Sequence, residues 1–177
     1  MTGRTFQRLA GLLVLASFAV ACGTAQADGV PEIREGRSVC DECGMIIDDL
    51  SLAAAWRLPD GTPRLFDDIG GMLVNGAEYG DLTAVNRWVF DRDTADTVPA
   101  GSATFVADAG LVTPMAWGVV AFARRSDAES MAEAGGGVVL DWDGLVEAYR
   151  NGELGAHAHA HAHTHEMEMD PTMTEEM

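Results

Sequence analysis

The chain has no lysine: its 11 basic residues are all Arg, and they stand against 28 Asp and Glu, for a formal net charge of −17. So acidic a surface argues against nucleic acid as a partner, since a phosphate backbone needs a basic face. The acidic residues are spread along the chain rather than gathered in one block, which reads as a solubilising surface. Cysteine is scarce, with three in 177 residues, so no disulfide framework is possible. The region before residue 157 contains no histidine at all. That removes the commonest general base and leaves no visible nucleophile and base pair, so catalysis has little support. No apolar run reaches the roughly 20 residues of a comfortable membrane span.

The longest apolar run, residues 9–21, follows Arg4 and Arg8 and ends in Ala19-Val20-Ala21-Cys22. A basic start, a short apolar stretch and small residues before a cysteine read as a signal peptide over residues 1–21, with Cys22 as the lipidated residue. Removal by an ordinary signal peptidase, giving plain secretion, is the alternative. Either way the protein is expected to work outside the cytoplasm. Losing Arg4 and Arg8 takes the net charge from −17 to −19.

Residues 22–37 carry Gly, Ala, Pro and charge without apolar periodicity and read as a tether. Residues 38–151 make one compact domain of ordinary size. Within it, residues 50–58 form a strand that meets the turn Pro59-Asp60-Gly61-Thr62-Pro63 and returns through residues 64–66 as a hairpin. Asp67 or Asp68 can cap a helix with Ile69, Met72, Leu73 and Ala77 facing inward, weakened by Gly70, Gly71 and Gly76. Residues 84–91 follow as a strand. The order then repeats: strands at 103–107 and 116–123, and a helix at 125–134 with a capping-box spacing at Ser126 and Glu129. A strand at 138–140 closes the repeat. A last helix, 141–151, carries Trp142, Leu145, Val146 and Tyr149 at helical spacing. The expectation is an α+β fold of two tandem strand-strand-helix-strand units, with Phe66 and Phe122 at matching strand ends.

Chemistry concentrates in Cys40-Asp41-Glu42-Cys43-Gly44-Met45. A pair of cysteines two residues apart serves structural zinc, thiol-disulfide exchange and copper sites alike. Structural zinc wants four Cys or His ligands, and the domain offers two. A redox thiol needs a depressed pKa, and the surrounding Asp41, Glu42, Asp48 and Asp49 work the other way. Cu(I) is soft and content with two or three sulfur ligands. Met45 and Met115 are the candidate thioethers, Met115 because it follows Pro114 at the entry to a strand. Met72 and Met131 sit at core positions of helices.

These pieces also occur together in order. Cys40-x-x-Cys43-Gly44-Met45, Phe66-Asp67-Asp68-Ile69-Gly70, Ala103-Thr104-Phe105-Val106, and Thr113-Pro114-Met115 followed by Gly118 and Ala121-Phe122 resemble the NosL family of copper-binding lipoproteins associated with nitrous-oxide reductase. The resemblance covers about residues 39–149. It implies the tandem fold and a metal role for Cys40, Cys43, Met45 and Met115. It also implies delivery of Cu(I) to nitrous-oxide reductase, work beside an accessory ABC transporter system, and a lipid-anchored place on the periplasmic side of a membrane. Where many relatives carry Cys or another residue after Ile-Gly, this chain has Gly71. A storage or sensing lipoprotein and a thiol oxidoreductase are the competing functions.

After Gly155 the composition changes to a tail, within the stretch 152–177, that cannot build a core. His157, His159, His161, His163 and His165 alternate with small residues, so an extended chain would place them on one side. Imidazoles suit Cu(II) or Zn(II), and Met167, Met169, Met173 and Met177 suit Cu(I).

Overall fold

The two hairpin-and-helix patterns of the sequence appear as two small antiparallel sheets, each backed by a helix. A computed structural model describes residues 29–155. The expected signal segment, Cys22 and the His/Met tail lie outside the described residues.

The first unit comprises β1 (Ala54–Arg57), β2 (Pro63–Phe66), α1 (Ile69–Glu78) and β3 (Arg87–Phe90), and β4 (Thr97–Pro99) extends its sheet. The second comprises β5 (Thr104–Ala107), β6 (Val119–Phe122), α2 (Arg125–Gly135) and β7 (Val138–Leu140), and is followed by α3 (Trp142–Arg150). Strand order is β2-β1-β3-β4 in one sheet and β6-β5-β7 in the other. The two units therefore share one topology, with the first strand central and the two later strands on either side. Register agrees as well: Phe66 pairs with Ala54 at the start of β1, and Phe122 with Thr104 at the start of β5. Both rings are buried, and the tandem strand-strand-helix-strand reading holds.

Several boundaries differ from the sequence expectation for local reasons. The expected strand 50–58 opens as a 3₁₀ turn, Leu50–Leu52, because the Asp49 carboxylate accepts the Ser51 amide and caps it. The strand expected from residue 84 begins only at Arg87, since Asn86 adopts a positive φ of 54°. The strand expected from residue 116 begins at Val119, after Ala116 and Gly118, both with φ near +60°. The capping box does not form. Helix α2 starts two residues earlier than that spacing requires, at Arg125, with Arg124 as an N-cap that makes no side-chain cap bond, while Glu129 pairs with Arg125 at 2.8 Å. On α1, Ile69, Met72 and Leu73 are buried as expected but Ala77 is exposed, the helix instead burying Asn75 and Gly76.

The main core gathers Trp56, Phe66, Ile69, Met72, Leu73, Phe105 and Leu145 from both units, and Cys40 belongs to it. A smaller cluster lies under α2 around Val106, Val120, Phe122 and Ala128. Pro31 is buried and Ile33 packs on the main core, so packed chain begins upstream of residue 38; Leu154 is buried at the other end.

Two polar joints hold the units. Asp91, just past β3, bridges in parallel to Ala121 of β6. The Asp91 carboxylate accepts the Ala123 amide at 2.7 Å and the amides of Asp93 and Thr94. The second joint surrounds Arg87, whose side chain has no solvent exposure. Its guanidinium lies 4.0 Å over the Trp56 ring, donates to the carbonyls of Asp81 (2.6 Å) and Thr83, and stands 3.6 Å from the Asp81 carboxylate. The Trp142 indole of α3 donates to the neighbouring Leu82 carbonyl at 2.9 Å. Burial pulls the Arg87 pKa down, opposed by Asp81. Arg87→Ala empties this box and leaves buried carbonyls unpaired, so it is expected to cost about 3–5 kcal/mol of unfolding free energy. Denaturant unfolding measures this, and a loss below about 1 kcal/mol would show that the 81–83 segment is held by other contacts.

Candidate metal centre

The cysteine motif is a closed turn. Val39 and Ile46 bridge across its base, the Cys40 amide donates to the Met45 carbonyl at 2.8 Å, and the Gly44 amide returns to the Cys40 carbonyl at 3.0 Å. Gly44 has φ of +75°, a conformation that glycine reaches without a Cβ penalty.

The acidic residues between the cysteines anchor this turn. The Asp41 amide donates to the Leu65 carbonyl at 2.7 Å, and the Asp41 carboxylate accepts the Leu65 amide at 2.7 Å and the Arg64 guanidinium at 3.0 Å. Glu42 accepts the Asn75 side-chain amide of α1 at 3.3 Å. The turn is thereby pinned to β2 on one side and α1 on the other, with both thiols facing the end of β2.

At that end stand two consecutive carboxylates with different tasks. Asp68 is the N-cap of α1 and accepts the Gly70 amide at 2.8 Å. Asp67 is left free to face the cysteines. The Cys43 thiol donates to Asp67 Oδ2 at 3.3 Å, while Oδ1 is buried without a hydrogen-bond partner. The donor atoms of Cys40, Cys43 and Asp67 all lie within 4.8 Å of one another, a spacing that could hold a single ion. In the sequence, Asp67 stands as a possible helix cap and as a member of the Phe66-Asp67-Asp68-Ile69-Gly70 motif, with no metal role assigned to it. The available signal was the doubled aspartate, because one carboxylate suffices to cap one helix.

The two thiols differ in surroundings. Cys40 is 1% exposed and Cys43 is half-buried. Burial pushes the Cys40 thiol up to about 12, against the pull of the nearby amides of Cys43, Asp67 and Glu42. A thiol so placed is protonated at neutral pH. This is the reverse of the depressed pKa on which thiol-disulfide exchangers depend.

Met115 reaches the first turn of α1 from the second unit. Asp68 Oδ2 accepts the Thr113 hydroxyl at 2.6 Å and the Met115 amide at 3.0 Å, which seats the β5–β6 loop on the first turn of α1. The half-buried Met115 side chain puts its sulfur over Gly71, beside Glu42 of the cysteine turn. Met45 is placed differently: its carbonyl closes the turn, but the residue is 46% exposed. Of the sulfur residues singled out in sequence, Cys40 and Cys43 converge with Asp67, Met115 lies against the cysteine turn, and Met45 sits on its solvent side. Cys22, His157, His159, His161, His163, His165, Met167 and Met169 lie outside the described residues.

No curated protein sequence is similar enough to count as a match. Among solved structures, the crystal structure of the copper chaperone NosL from Shewanella denitrificans is similar, with a TM-score of 0.54 and 17% identity over 65% of this chain and 93% of that one. At that identity the likeness is one of fold. The NosL family model matches residues 32–149, a span that takes in the cysteine turn, both sheets and the Met115 loop, and the chain belongs to the NosL family.

Proposed function

We propose that the chain is a carrier of Cu(I) that binds through Cys40, Cys43 and Met115 and passes the ion to nitrous-oxide reductase beside an accessory ABC transporter system. The observation that carries this reading is the convergence of the two thiols with the Asp67 carboxylate, with the Met115 thioether seated against the same turn. Two thiols and a thioether suit a soft monovalent ion content with few ligands. Membership of the NosL family and a fold shared with a copper chaperone support the choice of metal. Asp67 holds the Cys43 thiol in place and sets an anionic oxygen beside the cation. Met45, on the solvent side, is available to an arriving or departing ion.

The working step is ligand exchange. A site of few sulfur ligands lets an acceptor ligand attach before the last donor leaves, so no covalent chemistry is needed and the protein acts as a carrier rather than an enzyme. We further propose that Cys22 bears a lipid anchor, holding the domain outside the cytoplasm at the periplasmic face of a membrane. The His157–His165 segment, with Met167 and Met169, would collect Cu(II), Zn(II) or further copper near the site.

In a Cu(I) titration against a competing chelator, Cys40→Ser and Cys43→Ser should each weaken binding by more than about 100-fold, and Asp67→Asn by about 10–100-fold, the range for partners of metal ligands. Because the Cys40 thiol is protonated well below about 12, capture of copper by thiolates releases protons, and affinity should rise about tenfold per pH unit for each proton released. Affinity that stays flat from about pH 6 to pH 8 would rule out thiolate ligation.

Delivery is tested with copper-free nitrous-oxide reductase. The loaded protein should restore the reductase's copper, the double cysteine variant should not, and equal restoration by free copper and chelator alone would remove the carrier role. The two ends are tested in parallel. Cys22→Ala should move the protein from the membrane fraction to the soluble one, and truncation after Leu154 should lower Cu(II) and Zn(II) capacity while sparing the cysteine site. No change in either experiment would strike out the anchor or the tail site respectively.

A further inference from the structure

Gly71 lies in the first turn of α1, where glycine is a poor helix former, and the space its side chain would fill is already taken. A Cβ at residue 71 would stand 2.8 Å from Met115 Sδ, 3.7 Å from Met115 Cε and 3.6 Å from Glu42 Cβ. Atoms of this kind in ordinary contact keep about 3.5–4.0 Å, so a methyl group at 71 would push the sulfur away by about 1 Å. Metal-ligand distances hold to about ±0.2 Å, and a shift of that size separates a ligand from a bystander. The backbone itself does not demand glycine here, because Gly71 is not among the residues with positive φ. What would have to move is the end of a methionine side chain with three rotatable bonds.

We infer that Gly71 is a positioning residue: its missing side chain is what lets the Met115 thioether lie against the cysteine turn and complete the sulfur set. The inference rests on the copper reading given above. It also explains why two glycines stand in succession. The Trp117 ring occupies the side-chain position of Gly70, and the Met115 sulfur that of Gly71. The first turn of α1 thus receives the β5–β6 loop at two neighbouring seats, one for a ring and one for a thioether.

A structural role and a positioning role predict different things. In a helix, Ala is favoured over Gly, so if nothing depends on the empty space at residue 71, Gly71→Ala should be neutral or favourable in every measurement. The experiment uses the full reduced chain and the variants Gly71→Ala, Met115→Leu and the double variant. It reads denaturant unfolding without metal, Cu(I) affinity against a chelator, and the number of sulfur atoms per copper by X-ray absorption at less than one equivalent.

The expected result is a Gly71→Ala protein as stable as the parent or more so, with one sulfur fewer on copper. Its loss of affinity should equal that of Met115→Leu within about threefold, and the double variant should lose no more. Parental affinity and sulfur count in Gly71→Ala, alongside weakened binding in Met115→Leu, would overturn the inference and leave the copper reading standing. No effect of Met115→Leu would show instead that Met115 is not a ligand, and the inference would fall with that reading. Loss of stability and of thiolate ligation together in Gly71→Ala would make residue 71 a packing position and would equally overturn it.

Discussion

Asp68 has no solvent exposure, and a carboxylate in such a place must replace its lost water with donors. Its donors include the Gly70 amide on one oxygen and the Thr113 hydroxyl and the Met115 amide on the other. Burial still raises its pKa, against the pull of these donors. The first bond starts α1 and the other two hold the β5–β6 loop, so one side chain sets the beginning of a helix in the first unit and the course of a loop in the second. With α1 in place, Asn75 reaches Glu42 and the cysteine turn has its second support. The loop in turn brings Met115 to the turn. Met115 and one of the two supports of the cysteine turn therefore depend on this carboxylate, the other support being the hold of Asp41 on β2.

The duplication supplies the frame for this arrangement without supplying its chemistry. Both units use the same strand order and the same register at Phe66 and Phe122, yet their equivalent positions have diverged. After Phe66 come Asp67 and Asp68, one facing the thiols and one capping α1. After Phe122 come Ala123 and Arg124, and α2 begins without a side-chain cap. The carboxylate at the corresponding seam is Asp91, which takes the Ala123 amide and ties β3 to β6. The centre thus lies at one end of the first unit, the second unit contributing a loop.

Much of this was readable along the chain, and the parts that were not share a cause. The hairpin at Pro59 to Pro63 announces itself through residues that preset turn dihedrals, and the helical spacing of Trp142, Leu145, Val146 and Tyr149 marks a buried face. Strand β4 left no such trace: Thr97-Val98-Pro99 is an edge strand of three residues, too short to show alternation. The Ser126 and Glu129 spacing looked like a capping box, but Glu129 was taken by Arg125 one turn away. Residues 84–86 and 116–118 looked extended, but a pattern of apolar residues does not record a backbone with positive φ. In the centre, the thiols and Met115 were evident as sulfur, whereas Asp67 acquires its place only because Asp68 has already taken the cap. Gly71 read as a weak point in a helix, since the sulfur that needs its space comes from 44 positions further along the chain. These are effects of tertiary partners, which local spacing does not encode.

The unequal burial of the two thiols gives the turn an inside and an outside. Cys43 can be touched from solvent, while Cys40 is sealed into the core. On the carrier reading proposed above this would impose an order of events: an arriving ion would meet Cys43 before Cys40, and a competing ligand from an acceptor would attack from the Cys43 side while Cys40 still holds on. Cargo would then be handed over through one door, with the buried thiol as the latch that is released last.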